Sequence, residues 1–361
     1  MSRAHNFSAG PAAIPLPALE RAQAELLDFG GSGMSVMELS HRSKEFAGVH
    51  EEAKALVHEL LGVSDDYAVL FLQGGASLQF AMLPMNFLAK GESADYVNTG
   101  SWSKKAISEA KRFGAVNVVA TTADSNFNHV PAIADLKFDP NAKYAHVTSN
   151  NTIFGTQFHE FPDTGSVPLV SDMSSDIMSR PLDVNKFGMI YAGAQKNLGP
   201  SGVTLVIIRK DWAEKAASDL PTMLDYRTHI EGDSMYNTPP TFGIYMLRNV
   251  LAWVKDEGGV EAMAKLAQER AAKVYGVIDG SGGYYKGHAQ GDSRSLMNIT
   301  FNLAGEDLEK KFVAEAAKEN LVQLKGHRSV GGIRTSIYNA CTMDTIDTLV
   351  AFMKDFQAKN G

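Results

Sequence analysis

The feature that most constrains this chain is an alternation that begins near residue 67. Short apolar runs rich in β-branched residues take turns with longer segments of helical periodicity. "YAVLFLQ" closes on a Gly-Gly turn and is followed by "ASLQFAMLPMNFLA", and "SADYVN" precedes "SWSKKAISEAKRFG". "AVNVVAT", "KYAHVTS", "VPLVSDM", "FGMIYAG" and "GVTLVII" read as further strands. Strands that are apolar on both faces, joined through helices, predict an α/β layer structure with a mostly parallel central sheet. In such sheets ligands bind outside the carboxyl ends of the strands, so the residues just after each apolar run become the candidates.

The rest of the chain predicts a second, smaller unit. Long helices are expected over "TFGIYMLRNVLAWVKDEG" and "VEAMAKLAQERAAKVYGVI", with Gly258 and Gly259 between them as a hinge. The last third, with strand "LMNITFNL" and helices "EDLEKKFVAEAAKEN" and "MDTIDTLVAFMKDFQ", reads as a compact α+β unit. A chain of 361 residues exceeds what a single core commonly holds. We therefore expect a large domain over 16–258 and a small domain formed by 1–15 and 259–361. The glycine-rich stretch "LLDFGGSGMSVMELSHRS" is expected to be a loop. There is no internal repeat or low-complexity segment.

A net charge of −7 argues against a broad nucleic-acid or membrane surface. No stretch approaches the roughly 20 apolar residues of a membrane span, and the N-terminus carries no signal-like apolar run. The single cysteine, Cys341, excludes an intrachain disulfide and fits a reducing cytoplasm. It reads as a small buried hydrophobe or as a catalytic thiol, the former being the commoner case. No metal site is assigned.

Four features stand at the predicted strand ends. In "LQGGASLQF" glycines close a strand and a helix begins, and free N–H groups at a helix start suit a phosphate. The P-loop pattern is absent, and by itself such a turn is common. Trp102 in "NTGSWSKKA" is either core or a plate for a flat ring. Asp172 ends the apolar run "VPLVSD"; it caps a helix, pairs with a cation, or meets a protonated ring nitrogen. Lys196 sits in "YAGAQKNLGPSG" between two buried strands, either solvated or bonded as a Schiff base to a carbonyl cofactor. The order of phosphate turn, aromatic, strand-end acid and lysine is what pyridoxal 5'-phosphate requires.

These residues belong to longer motifs. "NFSAGPAAIP", "GMSVMELSHRS", "LQGGASLQF", "NTGSWS", "VSDMSSDI", "YAGAQKNLGPSG", "YNTPPTF" and "GHRSVGGIRTSIYNA" together resemble the phosphoserine aminotransferase family, a class V branch of the fold-type I pyridoxal phosphate transferases. The resemblance runs from about residue 5 to the C-terminus. It implies that Lys196 bonds the cofactor, Asp172 pairs with its ring nitrogen, Trp102 stacks on the ring and Thr152 meets the ring hydroxyl. It implies a phosphate grip by Ala76, Ser77 and Gln195, completed by Asn237 and Thr238 from the second subunit of a homodimer. It assigns the substrate to His41, Arg42, His327, Arg328 and Arg334. Many members carry an arginine after "GGA" where this chain has Ser77, so a cation at that position is missing here.

The activity implied is reversible transamination between 3-phosphoserine and 2-oxoglutarate, giving 3-phosphohydroxypyruvate and glutamate, in serine biosynthesis. A role in pyridoxine biosynthesis through phosphohydroxythreonine stays open. Two short cationic pairs, His41-Arg42 and His327-Arg328, suit an anionic side chain better than alanine, the donor of a rival class V transaminase. A cysteine desulfurase needs a mobile thiol, which Cys341 in "SIYNACTMDT" fits poorly. A non-catalytic ligand-binding module on the same fold would have no need of Lys196 and Asp172.

Overall fold

The structure is a computed structural model and describes residues 3–361; Met1 and Ser2, the first residues of the expected small domain, lie outside it. Its centre is a seven-stranded sheet formed by β1 (Tyr67–Leu72), β2 (Ser93–Asn98), β3 (Ala115–Thr121), β4 (Ala145–Thr148), β5 (Leu169–Asp172), β6 (Met189–Gly193) and β7 (Thr204–Arg209). The spatial order is β1-β7-β6-β5-β4-β2-β3. All strands run parallel except β7, which pairs antiparallel with both β6 and β1.

Both faces of this sheet are buried, which is why its strands read as continuous apolar runs. Along β1, Val69 and Phe71 point to one core while Ala68, Leu70 and Leu72 point to the other. The second of these cores is covered by α3 (Gly75–Phe87) and α4 (Ser101–Ala110), the crossover helices after β1 and β2. The first is covered by α2 (Lys44–Leu61) and α5 (Thr241–Asp256). Each fully buried Val, Leu, Ile or Phe contributes about 1.5–3 kcal/mol.

The stretch 26–43 is a loop, as its glycines predict, but it is flanked by two helices that the sequence reading did not assign, α1 (Leu16–Glu25) and α2. The signals for α2 are local. Ser43 caps it by accepting the Phe46 amide, Gly62 ends it at φ 62°, and Phe46, Val49, Ala53, Leu56, Val57 and Leu60 make one apolar face.

The C-terminal third forms a separate core. A small antiparallel sheet contains β8 (Asn298–Asn302) and β9 (Ile333–Ser336), packed by α6 (Gly259–Gly280), α7 (Glu306–Lys318) and α8 (Met343–Asn360). Helix α6 spans two cores: Val260 and Met263 enter the first, and Ala271, Val274 and Ile278 the last. Gly258 and Gly259 turn the chain between α5 and α6 with φ of 100° and 77°. The N-terminal segment returns to this region, where His5–Asn6 pairs parallel with Leu321–Val322. Among the described residues no helix is long and apolar enough to cross a membrane.

Candidate active site

A cavity of about 510 Å³ opens where the carboxyl ends of β1, β2, β4, β5 and β6 converge. That volume matches a small cofactor with its substrate. The residues after β1 (Gly74 to Ser77), after β2 (Trp102), after β4 (Asn150, Thr152), at the end of β5 (Asp172) and after β6 (Gln195, Lys196) all line it. One strand each brings a residue that lies 20 or more positions from the next.

The turn after β1 has a specific steric reason. Gly74 adopts φ 85°, and a Cβ there would meet Leu78 side-chain atoms at 2.6 Å. The chain can therefore enter α3 directly, leaving the first-turn amides of Gly75, Ala76 and Ser77 without intrahelical acceptors and facing the cavity. No side chain caps this end of the helix. An anion fits here by the chemistry of the donors alone.

Asp172 is buried, and its Oδ1 accepts the Ser174 amide at 2.9 Å. Burial raises its pKa, opposed by the hydrogen bonds from Ser174 and by the charge of Lys196. A buried carboxylate of this kind gains most from a cation brought into the cavity, such as a protonated ring nitrogen. Lys196 lies one strand over. Its Nζ donates to Thr152 Oγ1 at 2.6 Å and stands 5.6 Å from the centre of the Trp102 ring. Burial lowers its pKa to about 8, with Asp172 opposing the shift and Arg334 adding to it. Gly10 forms the other side of this cradle, since a Cβ there would sit 3.3 Å from the Lys196 Cγ.

Arg334, on β9, reaches the same cavity from the C-terminal unit. Its Nε is buried without a hydrogen-bond partner, and no ion pair among the described residues involves it. Burial lowers its pKa. A guanidinium held this way has its donors free for an incoming carboxylate. His327 also lines the cavity; burial lowers its pKa, and Arg334, Arg328 and Lys105 push the same way.

The structure thus gathers Ala76, Ser77, Trp102, Thr152, Asp172, Gln195, Lys196, His327 and Arg334 around one cavity. His41, Arg42, Arg328, Asn237 and Thr238 do not line it. Arg42 and Arg328 are exposed, and neither is in an ion pair among the described residues. Asn237 and Thr238 lie on a segment held at its root: Lys54 bonds Asp233 at 2.6 Å and Ser234 Oγ accepts the Phe71 amide at 3.0 Å. Its tip carries Tyr236, 54% exposed, and the nearby loop exposes Leu27, Met34 and Met37.

Lining residues that the sequence reading did not assign include Ala9, Gly10, Asn150, Ser174, Ser175 and Ser201. Asn150, Ser174 and Ser175 come within three residues of a strand end, so the rule that selected Asp172 would also have found them. Ala9 and Gly10 carry no such signal, because they come from the N-terminal segment. Cys341 is buried away from the cavity, and burial pushes its thiol up to about 12, which fits a packed hydrophobe.

Comparisons with known proteins point the same way. A family model described as Aminotransferase class-V matches residues 4–349. A phosphoserine aminotransferase of Lysinibacillus sphaericus (strain C3-41) is 59% identical, over 99% of this chain and 99% of its own. The solved phosphoserine aminotransferase from Bacillus circulans subsp. alkalophilus is 55% identical and superposes with a TM-score of 0.98, covering 99% of each chain. A phosphoserine aminotransferase of Trichomonas vaginalis, solved with PLP bound, is 43% identical with a TM-score of 0.92, over 98% of this chain and 100% of that one.

Proposed function

This chain belongs to the phosphoserine aminotransferase family of the class V aminotransferases, and from that premise we propose how its residues carry out pyridoxal phosphate-dependent transamination of phosphoserine. The observation that carries the reading is the shared cavity. Lys196 and Asp172, from two adjacent parallel strands, face a partnerless arginine across a space of cofactor size. In this reading 3-phosphoserine and 2-oxoglutarate exchange the amino group, giving 3-phosphohydroxypyruvate and glutamate, within serine biosynthesis in the cytoplasm.

The residues present fit the cofactor. Gly75 to Ser77 and Gln195 would hold its phosphate, Trp102 would stack on its ring, Thr152 would meet its hydroxyl, Asp172 its ring nitrogen and Lys196 its carbonyl carbon. Pyridoxal phosphate supplies a carbonyl that condenses with amines and a ring that accepts an electron pair. The protein supplies position and proton movement. Asp172, buried and lining the cavity, would keep the ring nitrogen protonated. Lys196 Nζ takes the proton from the donor Cα and, in the second half-reaction, returns one to the Cα of the acceptor. Burial, which lowers the pKa of this amine, favours the neutral form that can accept a proton. Arg334 orients the α-carboxylate bidentately, so the Cα–H is presented to Lys196.

The substrate's distal anion falls to His327, Arg328, His41 and Arg42. Because His41, Arg42, Asn237 and Thr238 do not line their own chain's cavity, they serve the cavity of a second copy in a homodimer. The exposed Tyr236, Leu27, Met34 and Met37 beside them favour such an interface. The same reading divides the chain into a cofactor-holding unit, 16–258, and a smaller unit of 1–15 and 259–361, which the separate third core supports.

The test is an assay of the cofactor-loaded protein with 2-oxoglutarate and four amino donors: phosphoserine, phosphohydroxythreonine, serine and alanine. We expect phosphoserine to exceed serine and alanine by about 100-fold or more in kcat/KM, as loss of charge-assisted contacts demands. Equal use of alanine would move the chain to a transaminase of small amino acids. Turnover of phosphohydroxythreonine would add a role in pyridoxine synthesis.

A further inference from the structure

We propose that Lys105 is a further specificity-determining residue, its ammonium joining the cations that receive the distal phosphate of the amino donor. The inference rests on the phosphoserine reading of the cavity. Lys105 lies one turn after Trp102 on α4, and its Nζ sits 4.4 Å from the centre of the Trp102 ring. That ring lines the cavity and has the Lys196 Nζ at 5.6 Å. The two ammonium groups are therefore no farther apart than the sum of those distances. Lys105 is exposed and does not itself line the cavity, yet its charged end lies over the indole that does.

A second observation places it among the substrate cations. The loop bearing His327 and Arg328 packs its Val330 into the same small cluster as Trp102, Phe127, Ile153 and Phe154. Lys105 and that loop thus meet at one aromatic patch, and the charge of Lys105 is felt at the His327 ring together with those of Arg334 and Arg328. No ion pair among the described residues involves Lys105, Arg328 or Arg334, and Asp172 is the one acid lining the cavity. Uncompensated like charges collected at one rim are costly until an anion arrives, and a dianion relieves more of that cost than a monoanion. Ser77, which also lines the cavity, adds no cation of its own. Lys104, the preceding residue, lies over the Phe127 ring at 4.8 Å, and that ring, unlike Trp102, does not line the cavity.

The competing view is that the Lys105 stem merely covers the indole. Lys105→Met keeps a similar stem and removes the charge, so it separates the two. Single-turnover titrations of the cofactor-loaded dimer with phosphoserine and with glutamate, followed at the visible absorbance band, give an apparent dissociation constant for each donor. We expect Lys105→Met to weaken phosphoserine by about three- to ten-fold and glutamate by less than about two-fold, with the limiting rate kept. Its phosphoserine constant should also depend less steeply on ionic strength. Lys105→Arg should bind as the unmodified protein does, and Lys104→Met should change neither donor. Equal effects on both donors, or no effect, overturn the inference while leaving the phosphoserine reading intact. Failure of the unmodified protein to consume phosphoserine would overturn both.

Discussion

The inner wall of the cavity and its outer rim are built from different kinds of chain. The wall consists of strand ends: Asp172, Thr152 and Lys196 each stand within four residues of a buried strand, Lys196 bonded to Thr152 and Asp172 to the Ser174 amide of the turn that follows its strand. The proposed rim consists of loop residues, His41, Arg42, Arg328, Asn237 and Thr238, none of which lines the cavity of its own chain. A wall of this kind fixes reacting groups to within a fraction of an ångström, which proton transfer requires. A rim of exposed cations can tolerate distal groups of different length and charge, as a transaminase with two amino donors requires. On the proposed reading, the wall carries the chemistry and the rim the choice of substrate.

Changes in the wall should therefore be severe and blind to the donor. We expect Lys196→Ala to lower transamination by about 10⁴-fold with the fold kept, losing both the imine bond and the base. Borohydride should no longer fix the cofactor to the protein; fixation in the mutant would assign the bond elsewhere. Asp172→Asn should cost about 10²–10³-fold in kcat for either donor, because the ring nitrogen loses the carboxylate that keeps its proton. A mutant that slowed only one half-reaction would break the division between wall and rim.

Changes in the rim should be smaller and selective. Arg42→Ala and Arg328→Ala should each weaken the phosphoserine half-reaction by about 10- to 100-fold and the glutamate half-reaction less, since the phosphate carries the larger charge. Arg334→Ala, at the shared α-carboxylate, should affect both donors alike. Sparing of phosphoserine by Arg42→Ala would remove it from the distal-anion site. Mixing an Asn237/Thr238 double mutant with a Lys196 mutant should recover about a quarter of full activity, the share of intact sites when random mixing puts half the chains in mixed dimers. Mixed dimers without activity would return those two residues to a structural role.

The smallest effect is thermodynamic. In the cofactor-free protein Lys196 titrates near 8 rather than 10.5, so between those pH values the unfolded chain binds a proton that the folded one does not. Stability should rise with pH across that window relative to Lys196→Met. Because the side chain is only partly buried, the gain should be on the order of 1 kcal/mol. Denaturant midpoints of both proteins at pH 7.5 and pH 10.5 measure it, and parallel curves would mean that the lysine is fully solvated.

Much of the wall was legible in the sequence because parallel strands advertise themselves. Seven apolar runs mark seven strands, and the residue that ends each run must lie at the sheet edge. Asp172, which ends its run, and Lys196, just past the next, could be placed at that edge for this reason, while their roles rest on the order of the four features and on the family resemblance. Helix α2 was missed although Ser43, Gly62 and its apolar spacing were all present, because the glycines of 26–43 dominated the reading of that region. The antiparallel course of β7 was not legible either, since a buried strand reads alike in both directions.

What the sequence determined by itself was local and periodic: the strands, the crossover helices, the glycine that opens the start of α3, and the identities of the acid and the lysine. Tertiary structure alone decided the company they keep. Ala9 and Gly10, Arg334 and the His327 loop are separated from Lys196 by more than a hundred residues of chain, yet all line the cavity. Their approach depends on α6 spanning two cores and on the N-terminal segment pairing at Leu321–Val322. Periodicity carries no information on such contacts, because the free energy that sets them comes from whole surfaces packing together rather than from neighbours in the chain.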